Sequence, residues 1–255
     1  MRSGKWVGVG LVAAAALAFA ADDISKMAAK DAMKKAATTM EALPGYHVTM
    51  NVEIAAVAGG LKAEGIYVKP DTYYLKSDAG FEMYLKGKKA VANNPANGQW
   101  QEAKDLDPAV GAALAVAQNI NPASIIAMMS KSGASKFRED EKLGEIDCKV
   151  VEVPGSPDDV KKLLEDQLKD IPMLKGANPG QFLDTKKSSS TWIAWIGKED
   201  LLIHKLEGNV HAEMKANPNL PIPSMDQKMT IEISKHGQEL ELNAPDEVKK
   251  KLGLK

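Results

Sequence analysis

Between Tyr46 and Ile54 the chain alternates strictly. Tyr46, Val48, Met50, Val52 and Ile54 are apolar, and His47, Thr49, Asn51 and Glu53 between them are polar. A period of two is the signature of a strand with one covered face and one wet face. The pattern continues with Gly59-Gly60 read as a hairpin turn, Leu61–Lys69 as the returning strand, Pro70-Asp71 as a turn and Thr72–Ser77 as a third strand. After Ala79-Gly80, Phe81, Met83 and Leu85 alternate with Glu82, Tyr84 and Lys86. Gly87 leads into Lys88–Ala92, and Trp100 opens one more short strand. These segments predict an antiparallel meander.

A second strand series lies near the other end. Thr191–Ile196 is apolar on both faces, which predicts cover on both sides. Gly197–Asp200 turns the chain into Leu201–Met214. Met229, Ile231 and Ile233 then alternate with Lys228, Thr230 and Glu232, and Glu239–Leu242 is expected to pair back after a turn at His236-Gly237. Between the two series, Glu145–Val153 reads as a strand paired with Ser135–Glu139.

Helical spacing marks five segments. Ile24, Met27, Met33, Ala36 and Met40 recur over residues 22–42, with Asp22 or Asp23 as the cap and Pro44-Gly45 as the stop. Asp107-Pro108 and Asn121-Pro122 each place a cap before Pro at the first helical position, ahead of two nearly uncharged segments, Val110–Ile120 and Ala123–Ser130. Uncharged helices of this kind must cover an apolar surface. Ser156-Pro157-Asp158-Asp159 starts a helix to about Leu168, and Pro245-Asp246 starts one through Leu252. Residues 171–190 are polar and read as a long loop, and Pro218–Pro223 as a Pro-rich insert. No βαβ alternation is present. The expected fold is therefore α+β: a large curved antiparallel sheet of roughly ten strands forming an incomplete β-barrel, with helices as a lid.

The first residues change where such a fold is expected to work. Arg2 and Lys5 precede an apolar run from Trp6 to Ala20 that ends in Ala18-Phe19-Ala20, the layout of a secretory signal. The run is shorter than the ~20 residues that a spanning helix needs. Residues 1–20 are thus read as a signal peptide and 21–255 as one domain, periplasmic or secreted, with no stable membrane span after cleavage. With 33 basic and 34 acidic residues, two of the basic ones in the signal, the mature chain carries about three net negative charges, which argues against nucleic acid as a partner. The single cysteine, Cys148, permits no intramolecular disulfide and reads as a small buried hydrophobe.

Candidate chemistry is sparse. His47 and His236 read as solvated, and His204 and His211 as residues of neighbouring strands that approach across a sheet. None has metal-ligand spacing. No Gly-x-Ser-x-Gly elbow or phosphate-binding glycine pattern occurs, so neither an enzyme nor a cofactor is expected. What stands out is the apolar supply: twelve methionines and few aromatics. Methionine is flexible and lines surfaces that adapt to varied apolar shapes.

Three stretches carry a resemblance: the leading helix running into Gly45-Tyr46-His47-Val48-Thr49-Met50, the hairpin Thr191–Ile203 with its paired tryptophans, and Met229–Ser234 followed by Leu242-Asn243-Ala244-Pro245. Together they resemble the Lol-type periplasmic lipoprotein carriers and the related mycobacterial lipoproteins that bind glycolipids. The resemblance implies a half-closed barrel over an apolar cavity that takes a lipid or an acylated protein, for transport or retention. Here it assigns the cavity wall to Val48, Met50, Val52, Phe81, Met83 and Trp192, and the lid to helices around Val110–Met129, including Ile126 and Met129. Two features depart from the pattern. The Lol carriers hold the lid with an arginine on an early strand, and residues 45–105 contain none. The glycolipid-binding relatives carry a lipobox cysteine, which is also missing. The alternative is a non-catalytic envelope sensor of the same fold that recognises a protein partner.

Overall fold

The alternating segment forms β1 (Gly45–Ile54), and it becomes the seam of the molecule. On one side it pairs with β2 (Val57–Val68), and on the other with β12 (Ser224–Ser234), both antiparallel. The second pairing sets Val48, Met50 and Val52 opposite Ile233, Ile231 and Met229. Apolar residues meet apolar residues at these three inward positions, so a one-residue slip would turn the set outward. The computed structural model describes residues 23–55, 57–87, 89–94, 97–102, 105–106, 121–168, 183–215 and 224–254. The segment expected to be a signal peptide, the apolar stretch 110–120, most of the polar stretch 171–190 and the insert 218–223 lie outside the described residues.

The first meander continues from β2 through β3 (Thr72–Ser77), β4 (Glu82–Lys86) and β5 (Lys89–Asn93) to β6 (Trp100–Glu102). The second runs back from β12 through β11 (Ile203–Glu213) and β10 (Ser189–Gly197) to β9 (Ile146–Gly155). Two short strands, β7 (Lys136–Phe137) and β8 (Glu141–Leu143), pair with β9. Among the described residues, both meanders therefore belong to one curved, unclosed, antiparallel sheet of twelve strands, with β6 and β7 at its ends.

Two local expectations fail for physical reasons. The hairpin turn lies at Ala55, before β2, and Gly60 sits within β2. Gly60 has a φ of +58°, and a Cβ there would lie 2.3 Å from the carbonyl oxygen of Val52. The glycine thus permits close approach at an irregularity where the β1–β2 register shifts between Val52 and Ile54. Residues 239–242 do not form a returning strand. Both edges of β12 are already occupied, by β1 and by β11, so no edge is free for a returning strand.

Three helices cover the inward face of the sheet. These are α1 (Ala29–Ala42), α2 (Pro122–Lys131) and α3 (Pro157–Leu168). The first helix starts later than its periodicity suggests. Asp23 caps a short 3-10 turn, Ile24–Lys26, and the chain is extended at Met27 and Ala28. An unbroken helix would place Ile24 about two and a half turns before Met33, on the opposite face. The break lets both reach the core, where they are 1% and 0% exposed. The α2 start is as expected: the Asn121 side chain accepts from the Ala123 and Ser124 amides, with Pro122 following. At α3, Ser156 and Asp159 satisfy each other's amides in a capping box.

The fourth helix, α4 (Asp246–Leu252), packs on the other face. Val248 and Leu252 cover Tyr84 and Val91, whose neighbours in sequence point inward. A further outer cluster joins Cys148, Val150, Ile193 and Trp195. Trp195 is pinned there by donating to Glu141 Oε2 at 2.9 Å and by Lys205 Nζ 4.4 Å over its ring. The predicted cover on both faces of the tryptophan strand is thus supplied by the main core on one side and this cluster on the other.

Candidate functional site

All eight residues assigned to a cavity fall in one buried cluster between sheet and helices. Val48, Met50 and Val52 come from β1, Phe81 from the β3–β4 turn, Met83 from β4, Ile126 and Met129 from α2, and Trp192 from β10. None is more than 8% exposed. Met33, Met40 and Met229 join the same cluster, so side chains that repack readily surround these positions. Trp192 lies flat on β11: a Cβ on Gly208 would lie 2.5 Å from its ring. Its Nε1 and the Ser190 Oγ, two residues apart on the inward face of β10, are buried without a hydrogen-bond partner among the described residues.

A groove of about 840 Å³ lies between α1, α2 and the β2–β3 corner. Ala37 and Met40 of α1 and Ala123, Ile126 and Ala127 of α2 form its apolar sides, and Tyr46 and Tyr67 its floor. Ile126 is the one of the eight assigned residues that lines both the groove and the core. The mouth carries Lys30, Lys34 and Lys131, with Glu41 as the single carboxylate.

The floor is a ladder of tyrosines from three adjacent strands. Tyr46 stands opposite Tyr67, and Tyr67 opposite Tyr73, with ring centroids 4.7 and 4.8 Å apart. The Tyr73 hydroxyl donates to Asn121 Oδ1 at 2.6 Å, so at its 3.4 Å contact with Tyr46 it accepts. Burial pushes both phenols well above the ordinary tyrosine range, so they remain donors at physiological pH. Asn121 is also the cap of α2. The sheet is therefore tied to a covering helix by a tyrosine–asparagine bond, and residues 45–105 hold no arginine for that task. These tyrosines were not among the assigned residues. Their inward parity is readable on each strand, but their meeting depends on the register between strands.

The histidines are arranged differently from expectation. His204 and His211 both lie on β11 rather than on neighbouring strands. His204 instead meets His236 edge to face at 4.8 Å and pairs with Asp200 at 2.9 Å. His236 is partly buried rather than solvated, and its Nε2 donates to the Ile203 carbonyl at 3.0 Å. Burial, and then the nearby His204, hold the His236 imidazole below its ordinary pKa. Burial raises the Asp200 carboxyl, but bonds from His204 and the Leu202 amide outweigh it and leave the group below its usual range. Among the described residues, no group of three or more His, Cys, Asp or Glu side chains is placed to hold a metal ion. Cys148 is fully buried, as expected, and burial followed by the nearby Asp200, Asp147 and Glu141 carboxylates pushes its thiol to about 11.

A second groove, of about 660 Å³, crosses the outer face of the sheet, with Asn51, Thr191, Asn209 and the His211–Asp226 pair at 2.6 Å among its lining. It touches none of the eight assigned residues. No helix among the described residues is long and apolar enough to cross a membrane.

Residues 65–252 match the family described as "Family of unknown function (DUF6612)". No curated protein matches the chain. Solved structures to which it is similar include the lipoprotein LppX of Mycobacterium tuberculosis, at 9% identity and a TM-score of 0.49 over 84% of this chain and 98% of that one. LprF of Mycobacterium bovis is 11% identical, with a TM-score of 0.46 over 85% and 96%. A LolA superfamily protein of Nitrosomonas europaea is 10% identical, with a TM-score of 0.31 over 87% and 97%.

Proposed function

The chain belongs to the DUF6612 family of unknown function, and from the geometry of its helix-covered face we propose that it binds an apolar ligand, a lipid or the acyl chain of a lipoprotein, for transport or retention. The observation that carries this reading is the groove between α1 and α2, whose apolar sides and tyrosine floor continue into a methionine-rich core. Its volume of about 840 Å³ falls in the range of ligand sites, about 300–1,000 Å³. Each methylene that moves from water into such a site gains about 0.8 kcal/mol, so binding needs little polar recognition. Val48, Met50, Val52, Phe81, Met83, Met129 and Trp192 form the deep wall that shifts to admit the chain, and Ile126 stands at its entrance. On this reading residues 1–20 direct export and residues 21–255 act in the periplasm or outside the cell, without catalysis.

Ala127 is exposed on the groove wall, so Ala127→Trp plugs the groove with little effect on stability. Uptake of a fluorescent fatty acid is expected to fall at least tenfold while the melting temperature holds. Unchanged uptake contradicts the assignment of the groove. A second reading, recognition of an envelope protein partner by the same fold, is favoured by the tight burial of the eight assigned residues. It predicts no uptake by either protein.

A further inference from the structure

The mouth of the groove carries a charge pattern that helix stability does not explain. Lys30 and Lys34 sit one turn apart in the first turns of α1. Cations are unfavourable at the positive end of a helix, and like charges four residues apart repel. Lys131 faces them from the last turn of α2. A cation there suits the helix end, but like those of the other two its ammonium group makes no hydrogen bond or ion pair among the described residues. Some lysines elsewhere on the surface are paired, Lys136 with Glu152, Lys149 and Lys198 with Asp140, and Lys205 with Glu207; what sets the groove apart is that its three converge on one apolar cleft. At the groove, three lysines share the lining with one carboxylate, Glu41, and both Glu41 and Asp71 act on Tyr67 at the floor end.

Resting on the ligand-binding reading above, we propose that this groove selects anionic amphiphiles. Lys30, Lys34 and Lys131 hold the acidic head, a carboxylate or phosphate, and the chain runs over Tyr46 and Tyr67 toward Ile126. The charge complements the occupant, and the apolar floor below it favours an anion that carries a chain over a bare inorganic one. The contacts are at the surface, so they are modest singly and sensitive to salt.

The test uses a dansyl-labelled undecanoic acid and its methyl ester, which share a chain and differ in charge. The wild-type protein is expected to bind the acid on the order of tenfold more tightly than the ester at low salt. That preference is expected to collapse in Lys30→Gln/Lys34→Gln/Lys131→Gln, with ester binding unchanged. About 0.5 M salt is expected to erase it in the wild type too, a measurement independent of how the variant folds. A phosphate-headed lysolipid tells the two head groups apart: equal salt-sensitive affinity for it supports recognition of charge itself. Equal binding of acid and ester by the wild type, or a preference that survives the triple substitution, overturns this inference and leaves ligand binding standing. Binding of neither probe overturns the ligand-binding reading itself.

Discussion

Replacing Tyr73 with Phe tests the bond that holds α2 to the sheet. The Tyr73 hydroxyl is buried and donates to Asn121 Oδ1 at 2.6 Å. A neutral hydrogen bond of this kind contributes about 1 kcal/mol net. Its loss does not orphan Asn121, which still accepts from the Ala123 and Ser124 amides. It does strip the Tyr46 hydroxyl, 2% exposed, of its partner at 3.4 Å, and a buried unsatisfied donor costs about 1 kcal/mol more. The expected loss is about 2 kcal/mol, or about 4–8 °C in melting temperature for a domain of this size. Tyr46→Phe alone leaves Tyr73 bonded to Asn121 and is expected to cost under about 1 kcal/mol. The double variant removes the orphan donor along with the bond, so it is expected to be more stable than Tyr73→Phe alone. Thermal and urea unfolding of the four proteins closes the cycle. Stopped-flow release of a fluorescent fatty acid is expected to be faster from Tyr73→Phe, because the N-terminal end of α2 is no longer tied down. A neutral Tyr73→Phe, or a double variant as destabilised as the sum of the singles, refutes the reasoning.

Three further outcomes are expected. Gly208→Ala drives a methyl into the Trp192 ring, at 2.5 Å from Cζ3, and is expected to destabilise by about 1–3 kcal/mol in urea unfolding; a neutral effect removes the packing account of that glycine. His236 titrates lower when folded than its ordinary value of 6.5, so unfolding takes up a proton in that window and stability falls as pH drops below about 6.5. His236→Gln is expected to flatten this part of the pH–stability curve, and an unchanged slope assigns it elsewhere. The Cys148 thiol, fully buried and raised to about 11, is expected to resist maleimide at neutral pH until the protein unfolds, whereas rapid labelling of the folded protein contradicts its burial.

The periodic segments were legible because their pattern reports burial directly. The alternation of Tyr46–Ile54 and of Met229–Ile233 placed both seam strands with the correct inward face, and Asn121-Pro122 and Ser156–Asp159 placed the starts of α2 and α3. Where the reading failed, information from outside the segment decided. The Gly59-Gly60 pair resembles a turn locally, and only the approach of Val52 shows why Gly60 is glycine. Residues 239–242 were read as a strand because nothing local reveals that β12 has no free edge. The site was half legible. The eight residues that the resemblance assigned to a cavity all lie in the buried core. The groove is made from one face of α1, one face of α2 and a cross-strand tyrosine ladder, and these meet only through tertiary packing.

The central claim is that this fold carries an apolar ligand between its sheet and helices. Native mass spectrometry of the protein recovered from an exporting host, followed by lipid extraction, tests it most directly. The account predicts a bound acyl-containing mass that is absent from Ala127→Trp prepared in parallel. A clean ligand-free mass, from a protein that also takes up no fluorescent fatty acid, contradicts it.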